Sequence, residues 1–464
     1  MHEGRIAMVR EPEPSRVVLR KAAEYLRLGR WVDAERALEP LIRCAVPATG
    51  PGALVETGTL LAHMERHEAA LNCFSQAVRH ETVSETALFG LAACQRMCGR
   101  LEEAELTARA LISRFGPRVS TLTLLSSLRR ATPSDNSLPL LRAAIESERD
   151  PAARAAAGFA LGKELDELDQ INSAFDAWAS AASLQKLQPI VRPPQAEIEQ
   201  LAKICATVDA AKLSRVPAGP DSLQPIFICG LPRSGTTLVE QIVIGAGGMT
   251  SMGELNEFEM AVAKSLDSRS PIGVNAERAG ECYRASLAAK FGSVHRFTDK
   301  APLNFRFAGL IARALPGAKI VMIRRHPLDS ALGMFSTNFS GLYPYSLDLR
   351  WLAEYLVGFR RLVEHWQRVL PPDRVCVVDY EELVADPERE SKRLFAFLNL
   401  PWSPFVLDLA SGRTPVSSAS AVQVRRAITA ASVGKWRRYE RQLGPVIAHL
   451  ATRGEWPRDA MPRA

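Results

Sequence analysis

Residues 225–243 read PIFICGLPRSGTTLVEQIV, and that stretch leaves few folds open. Ile226 to Cys229 is a short, wholly apolar run, as a buried parallel strand requires. GLPRSG follows as a turn, and TTLVEQIV has the spacing of an amphipathic helix. A strand, a glycine-containing loop and a helix N-terminus together aim several backbone N–H groups at one anion. Arg233 adds a guanidinium fork, and Ser234, Thr236 and Thr237 add hydroxyl donors. Gly235 lets the backbone approach a ligand with no side chain in the way. Each charge-assisted hydrogen bond is worth about 1.5–3 kcal/mol, so a few of them hold a nucleotide. The loop is not of the GxxxxGK[ST] kind: Gly230 and Gly235 are spaced correctly, but Thr236 stands where the lysine belongs. The missing Lys–Ser pair counts against an ATPase or kinase.

Upstream the chain repeats itself. AEYLRLGRWVDAERALEPLI reads as helix, turn at Gly29, helix, with Ala34 and Ala37 on the second helix. LLAHMERHEAALNCFSQAV repeats the plan with Ala70 and Phe74, and FGLAACQRMCGRLEEAELTARAL repeats it around Gly99, Ala104 and Ala108. ALGKELDELDQINSAFDAWASAA gives another unit around Ala174. The matched alanines lie 36, 34 and 70 residues apart (34 to 70, 70 to 104, 104 to 174). A degenerate unit is therefore expected in the last gap, around RVSTLTLLSSLRRATPSDNSLPLLRAAI. A period near 34 with a small residue opening the second helix resembles the tetratricopeptide repeat. Paired helices must approach closely at that point, and each pair buries its other face only against the next, which makes an array. An irregular helical bundle is the alternative. Residues 15–200 contain no recognisable chemistry and are expected to be a scaffold or a docking surface for a protein or peptide. LQKLQPIVRPPQ (184–195) and VPAGPDSLQP (216–225) mark shifts in composition, which predicts a linker over 201–224.

Composition narrows the remaining classes. A length of 464 residues exceeds one ordinary core. The net charge of +7 is a small excess over 58 basic and 51 acidic side chains. It favours an anionic ligand, but no basic stripe marks nucleic-acid binding. The N-terminus lacks the apolar run of a signal peptide, and no stretch has the length of a membrane span. Eight cysteines in so long a chain make no disulfide scaffold. Cys94 and Cys98 have no second pair to answer them, and His63 and His67 have Met64 where a zincin motif needs glutamate. The expectation is a cytoplasmic protein with no metal, no nucleic acid and no membrane span.

PRSGTTLVEQIV resembles the 5′-phosphosulfate loop of the sulfotransferases that use 3′-phosphoadenosine 5′-phosphosulfate (PAPS), in particular the tyrosylprotein-type and bacterial tetratricopeptide-linked branch. The resemblance implies that Arg233, Ser234, Gly235, Thr236 and Thr237 hold the 5′ phosphosulfate. It also implies a second clamp in AKIVMIRRHPLDSALGMF, where Arg325 matches the family arginine of the 3′-phosphate site. The family serine eight residues on is replaced by Gly333, and Ser330 or Ser336 replaces its hydroxyl only in part. DRVCVVDYEELVADPE resembles the family segment whose tyrosine, here Tyr380, lies beside the nucleotide. SSASAVQVRRAITAASVGKWRRYERQLG resembles the loop that covers the nucleotide, which makes Ser420, Gln423, Arg426 and Lys435 candidate contacts. The resemblance spans 225–445, with the four segments in the family's chain order.

Sulfuryl transfer needs a base for the acceptor and cations for the leaving oxygen, held in line. Gly253-Glu254 in SMGELNEF resembles the tyrosylprotein-type pattern whose glutamate is the general base, so Glu254 is the base candidate, with Glu257 and Glu259 near it. Lys300 in FTDKAPLN matches the family lysine near the transferred group, and it joins Arg233 as the catalytic cations. His326 and His295 rank below Glu254 as bases. The expected fold is an all-α tetratricopeptide-like superhelix over 15–200, then a three-layer α/β P-loop-like domain over 225–450 with a central parallel sheet. The expected activity is transfer of a sulfuryl group from PAPS to a hydroxyl of a peptide, carbohydrate or small molecule, releasing 3′-phosphoadenosine 5′-phosphate (PAP). Two rivals stay open: a P-loop kinase, and a non-enzymatic adaptor with a decayed sulfotransferase domain.

Overall fold

The computed structural model describes residues 13–43, 50–80, 84–213, 223–268, 270, 273–409 and 428–454. Contacts divide the chain into two compact units, one running to Gly116 with 286–293, the other holding most of 117–464. Among the described residues no helix is long and apolar enough to cross a membrane.

The first unit contains three helical pairs: Glu13–Arg27 with Trp31–Arg43, Pro51–His63 with His67–Ala77, and Glu85–Met97 with Leu101–Phe115. Ala34, Ala70, Ala104 and Ala108 are fully buried, as their place at a close helix crossing demands. Phe74 fills the space above Gly58, where an added Cβ would lie 3.0 Å from its ring. The turns between paired helices use left-handed residues at Gly29, Glu65 and Gly99. Only two of these are glycine, so sequence alone does not mark the middle turn.

Two more pairs belong to the second unit: Val119–Leu128 with Leu138–Ser147, and Pro151–Glu167 with Ile171–Lys186. The former is the degenerate unit. Its turn is long, and polar bonds replace a tight reversal: Ser137 N donates to Glu164 Oε2 at 2.6 Å and Ala131 N to Glu167 Oε2 at 2.9 Å. The latter repeats the first unit's plan, with left-handed Asp169 at its turn, Ala174 buried, and Trp178 packed over Gly162 as Phe74 packs over Gly58.

Contacts thus group this last hairpin with the elements that follow it. Phe175 stacks on Phe335 at 5.0 Å, and Trp178 meets Tyr439 at 5.6 Å, so this hairpin buries its apolar face on the α/β elements. The expected linker is also partly helical: Gln195–Thr207 extends into it and Ala210–Leu213 follows. Leu201 is fully buried, and a Cβ added at Gly358 would lie 3.0 Å from it.

The sheet has five parallel strands, β1 (Gln224–Gly230), β2 (Thr250–Ser251), β3 (Arg296–Asp299), β4 (Lys319–Arg324) and β5 (Val375–Asp379), in the order β2-β3-β1-β4-β5. β1 is buried after its first residue, as a central strand covered on both faces must be. Its side chains alternate. Ile226 and Ile228 pack with Val239, Ile242, Val321 and Phe395, whereas Phe227 meets Phe258 at 5.7 Å and Tyr283 at 5.8 Å. From β1 the chain moves toward β2 and β3, and from β4 it moves the other way to β5. The crevice between the ends of β1 and β4 is the switch point at which such sheets bind ligands.

Candidate active site

Each of the five strands delivers a candidate residue from its carboxyl end. The 231–237 loop follows β1, Glu254 follows β2, Lys300 follows β3, Arg325 follows β4 and Tyr380 follows β5. Read across the sheet, the order is Glu254, Lys300, the loop, Arg325, Tyr380.

The loop turns through left-handed Arg233 (φ 66°) and Gly235 (φ 107°) into the helix Thr236–Ile244. A Cβ at Gly235 would lie 2.5 Å from the Tyr380 ring, so glycine is required here both by conformation and by space. Ser234 is buried, and its Oγ has no hydrogen-bond partner among the described residues. Thr236 and Thr237 are buried at the helix start. The Arg233 guanidinium is desolvated and lies beside Arg325, which together push its pKa down to about 10. It still carries its charge at neutral pH.

Arg325 bridges the crevice. Its Nη1 donates to Arg233 O at 3.0 Å, its Nη2 donates to Ser432 O at 2.6 Å, and its guanidinium lies 4.5 Å from the Tyr380 ring centroid. Its Nε is buried with no partner among the described residues, as is Ser330 Oγ. Ser336 Oγ lies at 3.5 Å from Gly333 O. Tyr380 Oη pairs with Ser432 Oγ at 2.8 Å. These orphaned donors, together with two adjacent guanidinium groups, fit a multiply charged anion and fit a neutral ligand poorly.

On the other side of β1, Lys300 Nζ donates to Glu254 Oε1 at 2.5 Å; the lysine side chain is buried and the glutamate half-exposed. Lys300 N also donates to Gly253 O at 3.0 Å, which ties the ends of β2 and β3 together. Glu257 is buried in the first turn of the next helix, and Glu259 pairs with Arg306 at 3.0 Å. Burial and the Glu254 charge hold the Tyr343 phenol up.

The two histidines lie elsewhere. His295 is exposed at the amino end of β3, where its carbonyl accepts from Gln224 N at 2.8 Å. His326 starts the helix Pro327–Phe335, accepts Leu328 N on Nδ1 at 3.3 Å and stacks on Trp436 at 5.4 Å. Lys435 donates to Asp166 Oδ2 at 2.5 Å, so its ammonium is engaged away from the loop. Ser420, Gln423 and Arg426 lie outside the described residues.

Several supporting groups escaped the sequence reading. Asp299 is fully buried beside Lys300 and accepts from Tyr283 Oη at 2.8 Å and Asn304 Nδ2 at 3.1 Å. Burial pushes its pKa up to about 7. Glu240 Oε1 accepts from Thr298 Oγ1 and Ser251 Oγ, both at 2.8 Å, and so joins β2 to β3. Asp329 accepts from the amides of Gly434 and Trp436 at 2.6 and 3.0 Å. The aspartates beside Lys300 in FTDKAPLN and after Pro327 in RRHPLDS were the available signals.

Comparison with known proteins finds one family similar to this segment. Residues 225–404 match the family model described as the sulfotransferase family. An uncharacterized protein of Aquifex aeolicus is 31% identical over 76% of this chain and 48% of its own length. Protein-tyrosine sulfotransferase 1 of Danio rerio is 27% identical over 46% of this chain and 65% of its own. This chain thus spans less than two thirds of the length of either relative. Among solved structures, the sulfotransferase domain of the Synechococcus PCC 7002 olefin synthase covers 52% of this chain and 99% of that domain, at 20% identity and a TM-score of 0.35. Over residues 225–404 this chain is thus similar to the sulfotransferase family.

Proposed function

We propose that residues 225–450 transfer a sulfuryl group from PAPS to a hydroxyl acceptor, with protein tyrosine favoured. The observation that carries this reading is the pairing of Glu254 with Lys300 at 2.5 Å, one strand away from a loop whose Ser234 Oγ is buried with no partner among the described residues. A base and a cation meet where the acceptor and the transferred group would have to meet. Arg233, Ser234, Gly235, Thr236 and Thr237 would bind the 5′ phosphosulfate, and Arg325 with Tyr380 the adenosine 3′-phosphate end. Ser330 Oγ is the hydroxyl available in place of the one missing at Gly333.

In the step itself, the acceptor oxygen attacks sulfur in line and the new O–S bond forms. The bond from sulfur to the bridging phosphate oxygen breaks, and its electron pair stays on that oxygen as PAP leaves. The acceptor proton passes to Glu254. Lys300 and Arg233 stabilise the charge that grows on the leaving oxygen. Lys300 turns from Glu254 toward the sulfonate as the donor binds, which frees the carboxylate to accept a proton. The protein-tyrosine sulfotransferases among the relatives support a tyrosine acceptor. The helical pairs, read as tetratricopeptide-type repeats, supply a docking surface for a protein or peptide. Thermal melting tests the reading: PAP should raise the melting temperature without magnesium while ATP does little. The reverse ranking, with ATP stabilising only when magnesium is present, would overturn it in favour of a kinase.

A further inference from the structure

We propose that Asp166, on the Pro151–Glu167 helix, is a positioning residue for nucleotide binding. The inference rests on the sulfuryl-transfer reading above. Residues 432–439 are held from two sides. On the site side, Ser432 O accepts from Arg325 and Ser432 Oγ pairs with Tyr380, while the amides of Gly434 and Trp436 donate to Asp329. On the helical side, Lys435 Nζ at 2.5 Å, Tyr439 Oη at 2.7 Å and Arg438 Nη1 at 3.4 Å all converge on the Asp166 carboxylate, which is only 7% exposed. Gly434 turns the backbone through the left-handed region between these two sets of bonds.

A buried carboxylate with three donors is a specific attachment, because removing it leaves the fully buried Tyr439 hydroxyl without its acceptor and releases the half-exposed Lys435. The hairpin that carries Asp166 is itself fixed, through Phe175 on Phe335 and Trp178 on Tyr439. Asp166 therefore sets where the 432–439 segment lies. That segment in turn orients Arg325 and Tyr380 through Ser432, at the crevice where the nucleotide binds. Asp166 acts on the nucleotide through this segment and not by touching it. The same geometry assigns Lys435 to the strut and not to the ligand.

The test is titration of PAP onto the full chain, combined with steady-state kinetics in PAPS. Asp166→Asn should weaken PAP binding about tenfold and raise KM for PAPS by a similar factor. Its kcat at saturating PAPS should stay within about twofold of the wild type, because Glu254 and Lys300 lie on the other side of β1. Lys435→Met should show the same pattern, and the double variant should be no worse than the weaker-binding single one, as for two ends of one interaction. Losses that add would mean that Lys435 touches the nucleotide itself, and would overturn the proposal. If Asp166→Asn does not fold, Lys435→Met and Tyr439→Phe decide: both must weaken PAP binding, and an unchanged affinity in both overturns the strut. A wild-type chain that binds no PAP sinks the sulfuryl-transfer reading as well. One that binds PAP while Asp166→Asn binds it equally well sinks this inference alone.

Discussion

At the β1–β4 side of the carboxyl edge, Ser234 Oγ and Arg325 Nε are buried with no partners among the described residues, and burial together with the neighbouring Arg325 charge depresses the Arg233 pKa. At the β2–β3 side, Lys300 is paired with Glu254, and Asp299 is satisfied by Tyr283 and Asn304. Burying unmatched donors and like charges costs stability, and a protein keeps such an arrangement where a ligand repays it. The first side is thus poised for an anion before one arrives. The second neutralises itself, and its groups become available only when substrate competes for them. On the proposed reading, binding and chemistry are separated by one strand.

That separation fixes how substitutions should sort. Glu254→Ala should lower kcat about a hundred- to ten-thousandfold, the range spanned by general-base catalysis, while PAP affinity measured by titration changes less than about twofold. Full activity in this variant would move the base elsewhere, with Glu257 and Glu259 the next to test. Arg325→Ala should do the converse. Loss of one charge-assisted contact should weaken PAP binding by about ten- to a hundredfold. The kcat at saturating PAPS should fall far less. If both variants lowered kcat alike, the two sides would be one site and the separation would fail.

Asp299 probes how the second side is supported. Its pKa, raised by burial to about 7, lies above the value of about 3.9 for an unfolded aspartate. The folded state therefore holds the extra proton between those values, and its stability falls as pH rises from about 4 to about 7. Asp299→Asn mimics the protonated acid and should remove that fall. Melting temperatures of the two proteins should converge near pH 4 and diverge by pH 8, with the variant the higher. Parallel curves would mean that Asp299 is ionised in the folded protein throughout.

How much of this was legible depended on how local each feature is. The loop 230–237 is contiguous, so strand, turn and helix signals all fall within one short window. β2 has two residues and no pattern of its own, so Glu254 could be singled out only through a family resemblance. The helical hairpins were readable from buried alanines at fixed offsets, yet their turns were not, because Glu65 and Asp169 adopt the conformation expected of glycine. The partner of Lys435 is 269 residues away, and nothing in a basic run near the C-terminus says which acid it meets. For the same reason composition does not show which elements contacts group together. Pro- and Gly-rich composition marks a loop, but the faces of Phe175 and Trp178 decide which unit a hairpin joins.

The smallest expected effect concerns Gly333, where the family serine is absent. A Cβ there would lie 3.3 Å from Arg233 Cβ, so the helix Pro327–Phe335 approaches the loop closely at this point. On the proposed reading, a serine here adds a hydroxyl near the 3′-phosphate end but crowds the stem of Arg233, the arginine assigned to the 5′ end. The gain and the cost bear on the same ligand and largely offset, so Gly333→Ser should change PAP affinity by less than about threefold, or under about 0.7 kcal/mol. Ser330 Oγ, buried nearby in sequence with no partner among the described residues, is the reason that the gain is small. Combining Gly333→Ser with Ser330→Ala sharpens the point. If Ser330 already serves the phosphate, the added serine should recover affinity that Ser330→Ala loses; if it does not, Ser330→Ala alone will leave PAP binding unchanged, and the 3′-phosphate end then rests on Arg325 and Tyr380.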